Sequence, residues 1–213
     1  MSTATSAVAA QRSRTHKIAV TAMLSAAATV LMFLEFPIPF LIPSFVELDF
    51  SELPALLAAF SLGPVSGVVV CLVKNVIKGL LFSGTGGVGE MCNFLLGICF
   101  VIPAGIIYRC KKTRSGALIG ALAGAVIMAV CSVPVNYFIS YPVYTKFLPI
   151  DVIVGMYQEI VRRFGDFFHA SWQVNGLLGC LIAFNAPFTL LKGLLDMGLC
   201  FLIYKPLSPL LHK

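Results

Sequence analysis

Six apolar segments, each bounded by charges or by proline and glycine, occupy most of this chain, and no water-soluble core absorbs that much apolar surface. Of its 213 residues 59% are hydrophobic and 11% charged, against about 25% charged in an ordinary soluble domain. A bilayer crossing takes roughly 20 apolar residues per helix, so the length accommodates about six spans and little else. The fold class expected is therefore an all-α integral membrane protein of six transmembrane helices, over residues 17–34, 51–62, 64–82, 91–108, 116–141 and 176–204, the second being short for a full crossing and so either tilted or extended by part of the preceding loop. Residues 1–15 form a polar leader, 16–205 the membrane domain and 206–213 a tail. The length excludes a separate catalytic or ATP-hydrolysing domain. There is no Gly-x-x-x-x-Gly-Lys-Ser/Thr phosphate loop, so ATP-driven work requires a partner protein.

The net charge of +6 suggests nucleic acid in a soluble protein, but here the positive residues have a topological explanation. Arg12, Arg14 and Lys17 precede the first span, Arg109, Lys111, Lys112 and Arg114 join the fourth to the fifth, and Lys205 and Lys213 end the chain. With six spans all three clusters fall on one side, and cytoplasmic loops carry the Lys/Arg excess. Both termini are thus expected in the cytoplasm, in a multi-pass protein of the plasma membrane. The outer face carries the 35–50 loop, the glycine-rich 83–90 turn and the long 142–175 connection. No small-residue cleavage site follows Leu34, so the first span reads as retained rather than as a signal peptide. Seven scattered cysteines form no Cys-x-x-Cys and meet no histidine at metal spacing, so they read as small packing residues and no metal or cofactor is expected.

Ionisable residues inside spans are costly and usually face a cavity or one another. Four stand in apolar context: Lys74 and Lys78 in the third span, Lys192 and Asp196 in the sixth. Asn185, Thr189, Lys192 and Asp196 recur at i, i+4, i+7 and i+11, a stripe along one helix face, and Pro187 frees a carbonyl on the same helix. Lys192 reads either as a ligand anchor or as the i, i+4 partner of Asp196. In the fifth span Asn136 lies deeper than an interfacial tyrosine belt explains, whereas Tyr141 and Tyr144 fit such a belt. An amide at that depth matches the edge of a planar ring bearing paired donors and acceptors. Lys74 reads as part of a structural network with outer acids, Lys78 as solvated or snorkelling. Asp49 and Glu52 have the spacing of a capping box for the second helix. Small residues at four-residue spacing, Ala22 and Ala26 in the first span and Gly116, Gly120 and Gly124 in the fifth, allow close helix approach. The fifth-span set reads as packing within the chain. The alanine face equally suits another membrane protein.

Several stretches resemble a known family. Glu35-Phe-Pro-Ile-Pro-Phe40, Leu48-Asp-Phe-Ser-Glu-Leu-Pro-Ala-Leu56, Gly63-Pro-Val-Ser-Gly67, Lys74-Asn75, Gly86-Gly-Val-Gly-Glu-Met-Cys-Asn93-Phe94 and Phe188-Thr-Leu-Leu-Lys192-Gly193 are similar to the substrate-binding S component of energy-coupling factor (ECF) transporters, nearest to its riboflavin-specific members. The resemblance runs in order from the first span to the sixth. It implies a non-enzymatic six-helix subunit that captures riboflavin at the outer surface for import. It further implies association with a transmembrane coupling protein and two cytoplasmic ATPases, with Ala22 and Ala26 as the docking face. By the same carry-over the ligand is held by the 37–48 loop and the last three spans. Asn136 and Lys192 are then the polar anchors, with Thr189, Asn185, Glu47, Leu48, Phe40, Tyr141, Asn93 and Gly89 around them. Thr189 stands where riboflavin-binding members often carry Asn, which leaves a flavin analogue or another vitamin as the alternative ligand. A stand-alone secondary transporter using Lys192 and Asp196 as a charge relay is the reading from another class. Only one proline-broken helix and no inverted repeat support it. His169 reads as solvated, and Trp172 with Phe167 and Phe168 belongs either at the membrane interface or over the pocket.

Overall fold

In the computed structural model, which describes residues 2–43, 46–84, 86–146, 149–168 and 176–211, every apolar segment of the sequence is helical. Helix α1 spans Ser2–Phe33, so residues 2–15 of the expected leader prolong the first span rather than standing apart from it. A two-residue hairpin ladder follows, β1 (Phe36–Pro37) antiparallel to β2 (Glu47–Leu48). Helices α2 (Glu52–Ser61), α3 (Pro64–Phe82) and α4 (Val88–Cys110) come next. Helix α5 (Arg114–Val135) continues through a π turn at Asn136–Ser140 into α6 (Tyr141–Tyr144). After α7 (Ile150–Phe168), α8 (Gly176–Cys180) passes through a second π turn at Leu181–Asn185 into α9 (Ala186–Leu211).

Five segments are long and apolar enough to cross a bilayer, namely Arg14–Phe33, Pro64–Phe82, Val88–Cys110, Arg114–Tyr144 and Gly176–Tyr204. The expected sixth, around 51–62, is a helix of only 10 residues, about 15 Å long against a hydrocarbon thickness of about 30 Å. It does not face lipid. Every residue from Glu52 to Phe60 is buried, with Ala55, Leu56, Ala58 and Ala59 fully enclosed among α1, α3, α4 and α9. From β2 the non-helical residues 49–51 lead into the bundle ahead of α2. Irregular backbone is tolerated at such depth only inside protein or along a cavity, and Leu48, Asp49 and Ser51 are all buried. Gly63, at φ +104, then reverses the chain into Pro64, the first residue of α3.

The glycine face of α5 packs within the chain, as its spacing suggests. A Cβ on Gly124 would lie 2.4 Å from the Phe100 carbonyl oxygen, and one on Gly120 2.7 Å from that of Ala104, so α4 and α5 touch backbone to backbone. The opposite faces carry exposed apolar side chains such as Ile119, Leu122, Val126 and Val130, which suit lipid contact.

Within the 142–175 connection lies a helix that the charge-based reading passed over. Ile153, Tyr157, Ile160 and Val161 of α7 are buried at i, i+4, i+7 and i+8, the stripe of an amphipathic helix. Glu159, Arg162 and Arg163 pair with one another on its exposed side. Ile153 and Tyr157 of this stripe join Ile42, Leu48, Tyr141, Cys180, Leu181 and Phe188 in a second apolar cluster. His169 and Trp172 lie outside the described residues, and of Phe167 and Phe168 only the helical backbone is described.

Gly124→Ala is expected to lower the thermal unfolding midpoint of the detergent-purified protein, since overpacking a tight contact costs about 1–3 kcal/mol. Gly198→Ala, where an added Cβ meets nothing within 4 Å, is expected to leave the midpoint unchanged or raise it.

Candidate functional site

A cavity of about 350 Å³ opens at the end of the bundle where α1 and α3 finish and α4 begins. Met32, Lys78, Asn93, Met128, Asn136, Tyr141, Tyr144, Asn185, Phe188, Thr189 and Lys192 are among its lining residues, with Glu35, Glu47 and Glu90 also on the wall. Its size and its mix of sulfur-bearing, aromatic and a few placed polar groups are those of a small-molecule site.

Its floor is organised by the descending segment 49–52. Lys192 donates from Nζ to Asp49 Oδ2 at 2.8 Å, with only 12% of its side chain exposed. The other oxygen, Oδ1, accepts from the Ser51 amide at 2.8 Å and from the Ser51 hydroxyl. Lys74 Nζ donates to Ser51 Oγ at 2.5 Å and to Glu52 Oε1 at 2.6 Å, both side chains of this ion pair being buried. Glu52 fits because α4 carries Gly97 there, where a Cβ would stand 3.0 Å from Glu52 Oε2.

Three sequence expectations change here. Asp49 and Glu52 form no capping box: Ser51 takes the N-cap position and makes no side-chain cap bond, because both acids are drawn to buried lysines. Lys192 does not pair with Asp196. Asp49 takes its proton donor instead, and neither Asp196 carboxyl oxygen has a hydrogen-bond partner among the described residues, although the group is fully buried. Lys78 is not solvated but bonded to Glu35 across the mouth. Lys74 does belong to a structural network, with Glu52 as its acid.

Two amides reach the cavity from interrupted helices. Pro142 and Pro187 lack the N–H that would close a regular α-turn, and each lies just past a π turn, Asn136–Ser140 and Leu181–Asn185. A π turn inserts a residue into the ladder and re-aims side chains, frequently at functional sites. Asn136 is held by a 2.8 Å bond from its Nδ2 to the Ser132 carbonyl, and Asn185 Oδ1 accepts from the Thr189 hydroxyl at 3.3 Å. The Tyr141 hydroxyl meets that of Tyr157 at 2.6 Å and so ties α7 beside the wall. At the mouth Glu47 is raised above its ordinary 4.5 by partial burial, then by its bond to the Glu35 carboxyl and repulsion from it.

Of the residues singled out from sequence, Asn136, Lys192, Thr189, Asn185, Glu47, Tyr141, Asn93 and Gly89 line this cavity, and Phe40 and Leu48 do not. Leu48 alternates with Glu47 along β2, so when Glu47 faces the mouth Leu48 must enter the second apolar cluster. Phe40 is 68% exposed. Ala22 and Ala26 lie on the outward face of α1, away from the cavity. Met32, Met128 and Phe188 went unremarked because an apolar residue in an apolar span carries no sign of which neighbour it meets. Asp49 stood out in sequence as a cap and as one of the acids open to Lys74, not as the partner of Lys192.

The family model described as "ECF transporter, substrate-specific component" matches residues 16–207. The riboflavin transporter RibU of Staphylococcus aureus is 34% identical over 191 residues, 90% of this chain and 89% of its own. The riboflavin transporter FmnP of Bacillus subtilis is 28% identical, with 94% and 96% covered. A solved structure of the S component of a bacterial ECF transporter superposes with a TM-score of 0.70 at 32% identity, over 94% of this chain and 99% of that one.

Lys74→Met should destabilise the protein by about 3–5 kcal/mol, because it strands the buried Glu52 carboxylate. Lys74→Met combined with Glu52→Leu should recover most of that loss in the same thermal unfolding assay. Equal destabilisation in the single and double variants would contradict the pairing.

Proposed function

This chain belongs to the substrate-specific component family of ECF transporters, and from that premise we propose that it captures riboflavin at the outer surface of the bacterial plasma membrane for import. It acts as a binding subunit without catalysis of its own. The observation that carries this reading is the convergence of Lys192, Asn136 and Asn185 on one cavity that also presents aromatic and thioether groups. The isoalloxazine ring system of riboflavin is flat and apolar on its faces and presents paired donors and acceptors along one edge. Phe188, Tyr141, Met32 and Met128 suit the faces. The two amides and the ammonium suit the edge, each having hydrogen-bonding capacity beyond the bonds already made. Glu47, Asn93 and Gly89 complete the ring of contacts at the mouth. Where family members often carry Asn, Thr189 steadies Asn185 one turn earlier, and that amide serves the same wall.

Orientation follows from the basic clusters, with both termini cytoplasmic and six passes through the membrane, the second made by residues 46–51 together with α2. Import then requires a transmembrane coupling protein and two cytoplasmic ATPases. Ala22 and Ala26, exposed one turn apart on α1, form the flat strip on which the coupling protein docks.

Titration of the detergent-purified protein against riboflavin should quench flavin fluorescence stoichiometrically. Lys192→Ala should weaken binding about tenfold to a hundredfold, the loss expected for a bond involving a charged group, and Asn136→Ala by up to about tenfold. Flavin fluorescence left unquenched would rule out riboflavin as the ligand. Ala22→Trp with Ala26→Trp should abolish co-purification with the coupling protein and leave riboflavin quenching intact. Retained co-purification would remove this strip from the docking surface.

A further inference from the structure

At the opposite end of the bundle a second cavity, of about 250 Å³, is framed by the start of the first span, the α2–α3 turn and the end of α4. Lys17, Arg109 and Lys112 line it together with Phe60, Pro64 and Tyr108. All three basic residues are exposed, and none makes an ion pair among the described residues. No acid of the chain is available to them. The nine Asp and Glu residues are Glu35, Glu47, Asp49, Glu52 and Glu90 toward the ligand cavity, Asp151, Glu159 and Asp166 on α7, and Asp196 in the middle of α9. None occurs within residues 1–34, 53–89, 91–150 or 197–213, which include every segment at this end.

We propose that this cavity binds the phosphate of an anionic phospholipid headgroup. Three like charges around one concavity repel one another unless an anion joins them, and an anionic phosphate supplies that charge with oxygens for each donor. The floor is preformed: the Phe60 and Tyr108 rings meet at 5.0 Å, and the Gly63 carbonyl is occupied by the amides of Ser66 and Gly67. What favours a lipid over a free anion is the surface beside the charges. Ile18 is 71% exposed next to Lys17, Val65 is 70% exposed next to Pro64, and Ile106 is 50% exposed one turn before Arg109. The cations thus stand where the apolar spans end, with apolar side chains continuing from them along the path of an acyl chain. Basic pockets between transmembrane helices on the cytoplasmic side are suited to such headgroups.

The test is native mass spectrometry of the full chain released from mixed micelles containing phosphatidylglycerol or phosphatidylcholine. The wild type is expected to retain phosphatidylglycerol preferentially. The combination Lys17→Gln, Arg109→Gln, Lys112→Gln should lose that preference several-fold while still eluting as a monodisperse species. Equal retention by wild type and variant overturns the proposal. Should the triple variant not fold, the wild type alone decides. Retention of phosphatidylglycerol, but not of phosphatidylcholine, should fall as salt is raised, because exposed charges are screened within about 8 Å at physiological ionic strength. Salt-independent retention overturns the site. Inorganic phosphate forms the third arm: if it displaces phosphatidylglycerol and raises the unfolding midpoint by itself, the pocket takes the free anion and the lipid assignment fails.

Discussion

The structure depends on a short polar segment, Asp49 to Glu52, that descends to the depth where two lysines would otherwise stand uncompensated. Lys74 on α3 and Lys192 on α9 meet Glu52 and Asp49, and Ser51 links the two pairs by accepting from Lys74 and donating to Asp49. Ion pairs so deeply buried are not obviously favourable against apolar substitutes, but breaking one is severe. The consequence is positional. Residues 46–51 remain outside any helix, α2 begins well inside the bundle, and Lys192 is aimed at the cavity rather than toward Asp196.

That same descent makes room for a ligand. A full-length second helix would fill the half of the bundle where the cavity opens. A half-length helix leaves a cleft instead, closed at the side by α5, α9 and the cluster under α7. The two π turns open at this level, each beside a proline, and each sets an asparagine into the wall. Proline interruption, cavity and amide placement therefore occur together because only a cavity or protein, never lipid, accommodates an irregular helix at that depth.

Much of this was legible in the residues. The apolar periods located the long helices to within a few positions, apart from the extension of α1 to Ser2, and the Asn185, Thr189, Lys192 stripe lines one wall of the cavity. The partner of Lys192 was not legible, because Asp49 lies 143 residues away and local spacing favoured Asp196. Leu48 and Phe40 were placed at the ligand by their neighbourhood in the chain, yet strand alternation and loop exposure turned them elsewhere. Helix α7 had a readable stripe, Ile153, Tyr157, Ile160 and Val161, but its charged residues disguised it as a loop when spans were being sought.

By itself the sequence determined that the chain enters a membrane, where its five long apolar helices lie and which polar residues require a reason to be there. These follow from local quantities: transfer free energy summed along a span, and the period of a helix. Tertiary structure alone decided which acid meets which lysine, that α2 is enclosed by the other helices, and which methionines and aromatics share a wall. Each of those outcomes is a contact between segments far apart in the chain. Coulombic attraction and close packing act on distance in space, which spacing along a sequence does not encode.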